Sequence, residues 1–189
     1  DAMLDGLQAN IIRVGNLTNR YSDCRFQKNY TENAFAKRIK AILEFGVFPD
    51  YLLPIYVEFS PIDDTAKAIF EIARHFNTQY TVFNCNSNKV VRFDRFIQYM
   101  HELNIKMDIV SADNFVSLLK SEGIEFVYEA LINDMDENSR LIYDSNIRII
   151  NDFTIDYLKQ IGFEWSDIGI DYIRKYIYYF RKIGYLGGL

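Results

Sequence analysis

The chain has 189 residues, of which 49% are hydrophobic and 16% aromatic, so we expect a packed core in one domain or two small ones. Its net charge of −5 gives no reason to expect a nucleic-acid partner, and no apolar run approaches the roughly 18 residues of a membrane span. The first residues lack the basic and apolar regions of a signal peptide, which favours a cytoplasmic protein.

The cysteines and histidines do not form a metal-binding pattern. Cys24 and Cys85 have neither metal nor redox spacing, so free thiols in a reducing compartment are expected. His75 and His101 both fall in helical patterns without a second ligand at metal spacing, and no metal site is predicted.

The first strong signal is a short apolar strand at residues 10–14, which we expect to be buried and which breaks at Gly15 and Asn16 into a polar loop. In open α/β sheets ligands bind at the carboxyl ends of the strands. Such a strand normally lies in mid-domain, and residues 1–8 before it are interpreted as the end of a helix. Arg13 lies in mid-strand, where a charge is costly unless it is paired, so a salt bridge or a pocket position is expected.

Apolar residues at helical spacing predict six further elements, at 31–45, 61–75, 93–103, 112–122, 152–161 and 169–183. Gly46 and Gly162 are expected to end the first and fifth of these helices. Ser60 is predicted to cap the second, with Pro61 in its first turn and Asp63 completing a capping box. Residues 125–143 also favour a helix, interrupted by acidic residues at 134–137.

Strands are predicted at 54–59, 80–84 and 107–110, with a turn rich in Asn and Ser at 84–89. Charge is uneven along the chain, because residues 11–40 hold seven Lys or Arg and two Asp or Glu, whereas residues 108–144 hold two and nine. A basic segment next to a loop that could bind a ligand is consistent with a phosphorylated partner. It is equally consistent with a set of charged side chains that simply face solvent.

Several motifs near the start of the chain belong together: Arg13-Val14-Gly15-Asn16-Leu17-Thr18, Arg20-Tyr21-Ser22-Asp23, Phe26-Gln27 and Glu32-Asn33-Ala34-Phe35. This set resembles the terminal thioester reductase domains of nonribosomal peptide synthetases, members of the extended short-chain dehydrogenase/reductase superfamily. Weaker similarity at 60–63, 82–84, 153–158 and 162–165 extends the resemblance over roughly residues 9–186.

The resemblance implies an α/β fold, or α+β for this chain taken alone, with a late Rossmann strand and a mostly helical substrate-binding subdomain containing a few short strands. Residues 1–30 would form the last Rossmann strand and active-site loop, and residues 31–189 the substrate-binding subdomain. The family's Gly-rich phosphate turn is missing, and no Tyr-x-x-x-Lys precedes the first strand, where the family places it. The chain is therefore interpreted as the C-terminal part of a reductase whose nucleotide-binding half is absent.

The family uses NADPH to reduce a thioester on a carrier protein's phosphopantetheine arm, which releases an aldehyde or an alcohol. Hydride transfer to the thioester carbonyl would be followed by collapse of the hemithioacetal. We expect no catalytic residue and no bound cofactor in this chain, and we predict that it is inactive in isolation.

Site residues follow from the same resemblance. Candidate contacts for the nicotinamide end of the cofactor are Arg13, Gly15, Asn16 and Leu17. Candidate substrate or phosphate contacts are Arg20, Arg25, Lys28, Asn33 and Phe35. Candidate docking residues for an acidic carrier protein are Arg174, Lys175, Arg181 and Lys182, since complementary charge speeds encounter. The structural alternatives are a plain turn at Gly15, a core position for Phe35 and a solvated basic helix face.

Two other functions stay open at this stage. One is a non-catalytic interaction module that docks an acidic carrier protein. The other is a reductase-superfamily fragment that acts on a nucleotide sugar or a fatty acyl thioester. The unpaired edge of the first strand also predicts a homodimer, or contact with the missing N-terminal reductase half.

Overall fold

The computed structural model describes residues 5–80, 82–121 and 149–187, together with Leu131, Met135, Asp136 and Asn138. Within these residues six α-helices are combined with short parallel and antiparallel strand pairs. The predicted α/β class is thereby confirmed. The helix expected over 125–143 lies largely outside the described residues. No described helix has the length and apolar character needed to cross a lipid bilayer.

The described strands form four two-stranded sheets. They are β1 (Ile11–Val14), β2 (Leu17–Thr18), β3 (Val47–Pro49), β4 (Tyr56–Glu58), β5 (Ser60–Pro61), β6 (Val82–Cys85), β7 (Val90–Arg92) and β8 (Asp108–Val110). The pairs β1–β6, β2–β5 and β3–β8 are parallel, and β4–β7 is antiparallel. In the first pair Val14 lies opposite Cys85, so the residues that follow β1 and β6 emerge at the same edge.

The helices begin and end close to the predicted positions. They are α1 (Ala34–Phe45), α2 (Ile62–Arg74), α3 (Phe93–Glu102), α4 (Ala112–Ser121), α5 (Asp152–Gln160) and α6 (Ile170–Lys182). Gly46 ends α1 with a φ of 67° and Gly162 follows α5 with a φ of 86°, the left-handed conformation that glycine adopts without strain. Both predicted helix ends are confirmed.

The start of α2 differs from the prediction. Ser60 does not cap this helix, because it lies in β5 opposite Leu17. Its hydroxyl donates to the Glu58 carboxylate and accepts the N–H of Ser87 at 2.9 Å. Pro61 occupies the N-cap position, where it offers no side-chain oxygen. The predicted capping box at Ser60 is therefore wrong.

Strand β1 is more exposed than its apolar sequence predicts. Ile11 and Val14 are 45% and 47% exposed, and Arg13 between them also faces solvent. The expectation that this strand is buried is therefore wrong, and the charge of Arg13 carries no cost of burial. Residues 5–8 form a turn and an irregular segment, so the helix expected at 1–8 does not extend through them.

Two buried clusters hold these elements together. The larger one contains buried side chains from α1, α3, α4 and α6, including Phe96 and Phe180. The smaller one packs α2 and α5 against β6 through residues such as Ile72, Phe83 and Leu158. In α6 the predicted apolar face is largely buried, as the positions of Ile173, Ile177 and Phe180 show. The parallel pair β1–β6 thus has helices packed on β6, while β1 keeps exposed apolar side chains.

Candidate functional site

A polar cluster lies where three strands end. Gly15 and Asn16 follow β1, Ser87 comes two residues after β6, and Glu58 is the last residue of β4. The Asn16 N–H donates to Glu58 Oε1 at 3.2 Å, and the Ser60 hydroxyl donates to the same oxygen. Asn16 O accepts the N–H of Ser60 at 3.0 Å. One carboxylate therefore connects these chain segments, which are distant in sequence.

Glu58 also occupies the space beside Gly15. A Cβ added to Gly15 would clash with Glu58 Oε1, so no larger residue fits without moving the carboxylate. Burial raises the pKa of Glu58, and the hydrogen bonds from Ser60 and from the N–H groups of Asn16 and Ser87 offset only part of that effect. Burial, together with the charge of Glu58, raises the pKa of the nearby Cys85 thiol to about 12.

The polar loop that follows β2 is held by a carboxylate from α2. Asp63 Oδ1 accepts the N–H of Tyr21 at 2.7 Å, and Asp63 Oδ2 accepts the N–H of Ser22 at 3.1 Å. Partial burial acts to raise the pKa of Asp63, but these hydrogen bonds outweigh it and the pKa lies below its usual value. Asp63 thus fixes the loop to the first turn of α2.

The same loop is also tied to the last helix. The Tyr172 hydroxyl lies 2.7 Å from Asn19 O and 2.7 Å from Thr18 Oγ1, and its ring stacks on Tyr21 with centroids 5.7 Å apart. Burial raises the pKa of Tyr172, so the hydroxyl stays protonated. Cys24 in this loop has a φ of 60°, in the left-handed region that favours glycine.

The predicted substrate contacts are divided between surface and interior. Arg20 forms an ion pair with Asp23, and Arg25 Nε lies 3.6 Å from the same carboxylate. Lys28 is exposed. Asn33 Oδ1 accepts the N–H of Ala36 at 2.8 Å as the N-cap of α1. Phe35 is buried and packs edge-to-face on Phe59, with 5.2 Å between the ring centroids.

The predicted docking residues lie around the exposed side of α6. Arg174, Lys175 and Lys182 are exposed, and Arg174 Nη1 pairs with Asp171 Oδ1 at 2.6 Å. Arg181 is half-buried, and its Nε has no hydrogen-bond partner among the described residues. The positive charge of Lys175 acts on the Cys24 thiol, which places this helix face beside the loop.

The structure therefore brings Gly15 and Asn16 together with residues that sequence reasoning missed. Glu58 lies in the strand predicted at 54–59, and Ser87 lies in the turn predicted at 84–89 from its Asn and Ser content. No local pattern places either beside Gly15, because their contacts span 42 residues between Asn16 and Glu58 and 27 between Ser60 and Ser87.

A partly open cleft lies beside the turn that follows β6, and its lining begins at Asn88. It has a volume of about 210 Å³ and combines apolar residues with two lysines and two carboxylates: Asn88, Lys89, Ile155, Asp156, Leu158, Lys159, Phe163, Glu164 and Trp165. Such a mixed lining suits a ligand that has both apolar and polar parts.

Solved structures similar to this chain are terminal reductase domains. A thiolation-reductase di-domain from an archaeal nonribosomal peptide synthetase matches 98% of this chain at 29% identity, with a TM-score of 0.85. The terminal reductase domain of the myxalamid polyketide–peptide pathway matches 98% at 18% identity, and the aureusimine cluster reductase domain 96% at 21%, each with a TM-score of 0.79. No protein-family model and no curated protein matches the sequence.

The predicted resemblance to these reductase domains is confirmed, and the fold corresponds to part of the extended short-chain dehydrogenase/reductase fold. The chain spans 38% of the archaeal di-domain and 46% of each of the other two structures. It therefore corresponds to less than half the length of each of these relatives.

Proposed function

We propose that this chain is the substrate-binding, C-terminal portion of an NAD(P)H-dependent thioester reductase. The complete enzyme would release a carrier-bound peptidyl or acyl thioester as an aldehyde or an alcohol. The observation that carries the proposal is the match over 98% of the chain to the archaeal thiolation-reductase di-domain, at 29% identity. The polar cluster at the carboxyl ends of β1 and β6 supports it, since ligands of α/β folds bind at such edges.

The residues after β1 fit one end of a dinucleotide cofactor. Asn16 is exposed at this edge, and its side-chain amide offers the donors and acceptor that a carboxamide group can pair with. Gly15 and Leu17 flank it, and Arg13 lies exposed two residues before Gly15. When bound, the cofactor supplies the hydride. The role of this chain is to present the Gly15-Asn16 turn toward the ring.

The loop over residues 19–25 and α1 would line the approach of the substrate. Arg20 and Arg25 share the Asp23 carboxylate, and Lys28 is exposed beyond them, so this surface can attract a phosphopantetheine phosphate. Asn33 and Phe35 are already used as a helix cap and a core residue. We propose that these two residues hold α1 in position beside the loop at residues 19–25.

Carrier docking on α6 is the second element of the proposal. Arg174, Lys175 and Lys182 point to solvent around Tyr178, which is 66% exposed. A basic surface with an exposed aromatic ring suits an acidic protein partner. The same surface would also serve a module whose only activity is carrier binding, so the assay must separate binding from reduction.

The exposed apolar side chains of the β1–β6 pair support the division of the site between two parts. Ile11 and Val82 lie opposite each other on one face and are 45% and 38% exposed, and Val14 is 47% exposed on the other side of this two-stranded sheet. Apolar side chains at a strand edge favour pairing with another strand. We propose that a nucleotide-binding half covers this face in the complete enzyme. A homodimer through the same face stays a prediction.

The test is a thioester reduction assay on the protein encoded by the complete reading frame, with residues 1–189 alone as the control. An acyl group on a carrier protein is incubated with NADPH, and the products are identified by mass spectrometry. Aldehyde or alcohol formed by the complete protein supports the proposal. Carrier binding without reduction would favour the interaction module instead.

A further inference from the structure

We propose that Glu58 is the positioning residue of the Gly15-Asn16 turn and that it couples this turn to Ser87 at the carboxyl end of β6. The inference rests on the proposed function in one respect, namely that this turn faces the cofactor ring. The coupling itself is a property of the chain and can be measured without any cofactor.

The first part of the argument is steric. Glu58 Oε1 would clash with a Cβ at residue 15, so glycine and the carboxylate occupy complementary space. Gly15 is not among the glycines with a positive φ. Its requirement for glycine therefore comes from the close approach of Glu58 and not from backbone strain.

The second part is the hydrogen-bond network. Glu58 Oε1 accepts the Asn16 N–H and the Ser60 hydroxyl, and Ser60 Oγ accepts the Ser87 N–H at 2.9 Å. An acceptor at this position keeps Asn16 in place and orients the Ser60 hydroxyl. Movement of the carboxylate would therefore be transmitted to both strand ends.

Glu58 has no cationic partner among the residues that the structure describes. No Lys or Arg in the described part of the chain forms an ion pair with it. The titratable group that senses its charge is the buried Cys85 thiol of β6, and the other groups facing it are neutral donors from Asn16, Ser60 and Ser87. Among the described residues, the Glu58 carboxylate therefore holds the Gly15-Asn16 turn through hydrogen bonds and not through an ion pair.

The test of the steric part is a double-mutant cycle on residues 1–189. Gly15→Ala should raise the unfolding equilibrium constant by roughly two- to tenfold, because the methyl group fits only if the Glu58 carboxylate moves and loses its hydrogen bonds to Asn16 and Ser60. In the Glu58→Ala background the same substitution should have a much smaller effect, because the carboxylate is gone. Gly187→Ala, where an added Cβ meets nothing within 4 Å, is the control. An equal effect of Gly15→Ala in both backgrounds would overturn the proposal.

The test of the hydrogen-bond part uses Glu58→Gln, which keeps the shape of the side chain. In ¹H–¹⁵N spectra the Asn16 and Ser87 amide signals should move together as pH is lowered, with a midpoint above that of ordinary glutamates. Glu58→Gln should abolish this titration, and the exposed Glu102→Gln should leave it intact. Independent titration of the two amides, or its persistence in Glu58→Gln, would overturn the coupling. If the coupling is observed but the complete protein does not reduce thioesters, only the proposed function is rejected and the role of Glu58 stands.

Discussion

The hydroxyl of Tyr172 donates a hydrogen bond to the backbone oxygen of Asn19 at 2.7 Å, across 153 residues of sequence. A carbonyl oxygen cannot donate, so the single hydroxyl hydrogen points to Asn19, and Thr18 Oγ1 must donate to Tyr172 in turn. Both contacts are buried. The last helix and the loop that follows β2 therefore form one unit.

Tyr172→Phe should lower the free energy of unfolding by roughly 1–3 kcal/mol, because it leaves the buried Asn19 oxygen without its donor. Urea denaturation followed by circular dichroism measures the change. Tyr178→Phe is the matched control on the same helix, and since Tyr178 is 66% exposed it should change stability by only a few tenths of a kcal/mol, within about ±0.5 kcal/mol. Equal effects of the two substitutions would show that the Tyr172 hydroxyl has no structural role.

Asp63 should contribute stability that depends on pH. Its pKa is lower in the folded state than in the unfolded state, so the contribution is complete above the unfolded value of about 4 and is lost as pH falls through the folded value. Asp63→Asn should lower stability at neutral pH by about 1 kcal/mol, a figure reduced for solvent exposure.

The corresponding measurement compares Asp63→Asn with wild type in urea titrations from pH 7 down to acid pH. The difference in stability should shrink as pH falls below that of ordinary aspartates. The exposed Asp156→Asn is the control and should give a small difference at every pH. A difference for Asp63→Asn that is independent of pH would contradict the role assigned to its charge.

The two cysteines should react slowly with alkylating reagents in the folded protein. Burial raises the pKa of Cys24 to about 11 and that of Cys85 to about 12, so almost no thiolate is present at neutral pH. Mass spectrometry after iodoacetamide treatment should show little modification in buffer and full modification in urea. Rapid labelling of Cys24 in buffer would indicate that the loop opens readily.

Helix ends were predictable from sequence because their signals are local. Gly46 and Gly162 each follow an apolar helical pattern. Glycine readily adopts the left-handed backbone conformation that ends a helix, so each helix end can be predicted from the glycine itself. The motifs around Gly15 and Asn33 were likewise sufficient to indicate the reductase fold, which the archaeal di-domain confirms.

The composition of the site was not predictable, because its contacts are long-range. Ser60 has the local sequence pattern of a helix cap. In the structure, however, its backbone pairs with Leu17 in a two-stranded sheet and its hydroxyl donates to the Glu58 carboxylate. Asp63 was interpreted as a helix-start residue, and its carboxylate also binds a loop 41 and 42 residues away. The Tyr172 hydroxyl likewise finds its partner 153 residues away, at Asn19 O, where no local pattern indicates it.

The basic face of α6 should bind an acidic carrier protein weakly and in a salt-dependent way. The double substitution Lys175→Glu, Lys182→Glu should weaken binding by roughly tenfold or more, mainly through slower association. Lys67→Glu is the control, because it makes the same change of charge at an exposed position on a different helix, α2. Surface plasmon resonance at two salt concentrations makes the comparison. Binding that is unchanged by the α6 substitutions would exclude this face as the docking surface.

Product analysis of a carrier-bound acyl thioester incubated with NADPH tests the central claim most directly. The protein from the complete reading frame should release aldehyde or alcohol with stoichiometric NADPH oxidation, and residues 1–189 alone should release neither. Reduction by residues 1–189 alone at a rate comparable with the complete protein would contradict the claim that this chain supplies only part of the site. Release of free acid, with NADPH unconsumed, would contradict the reductase assignment itself.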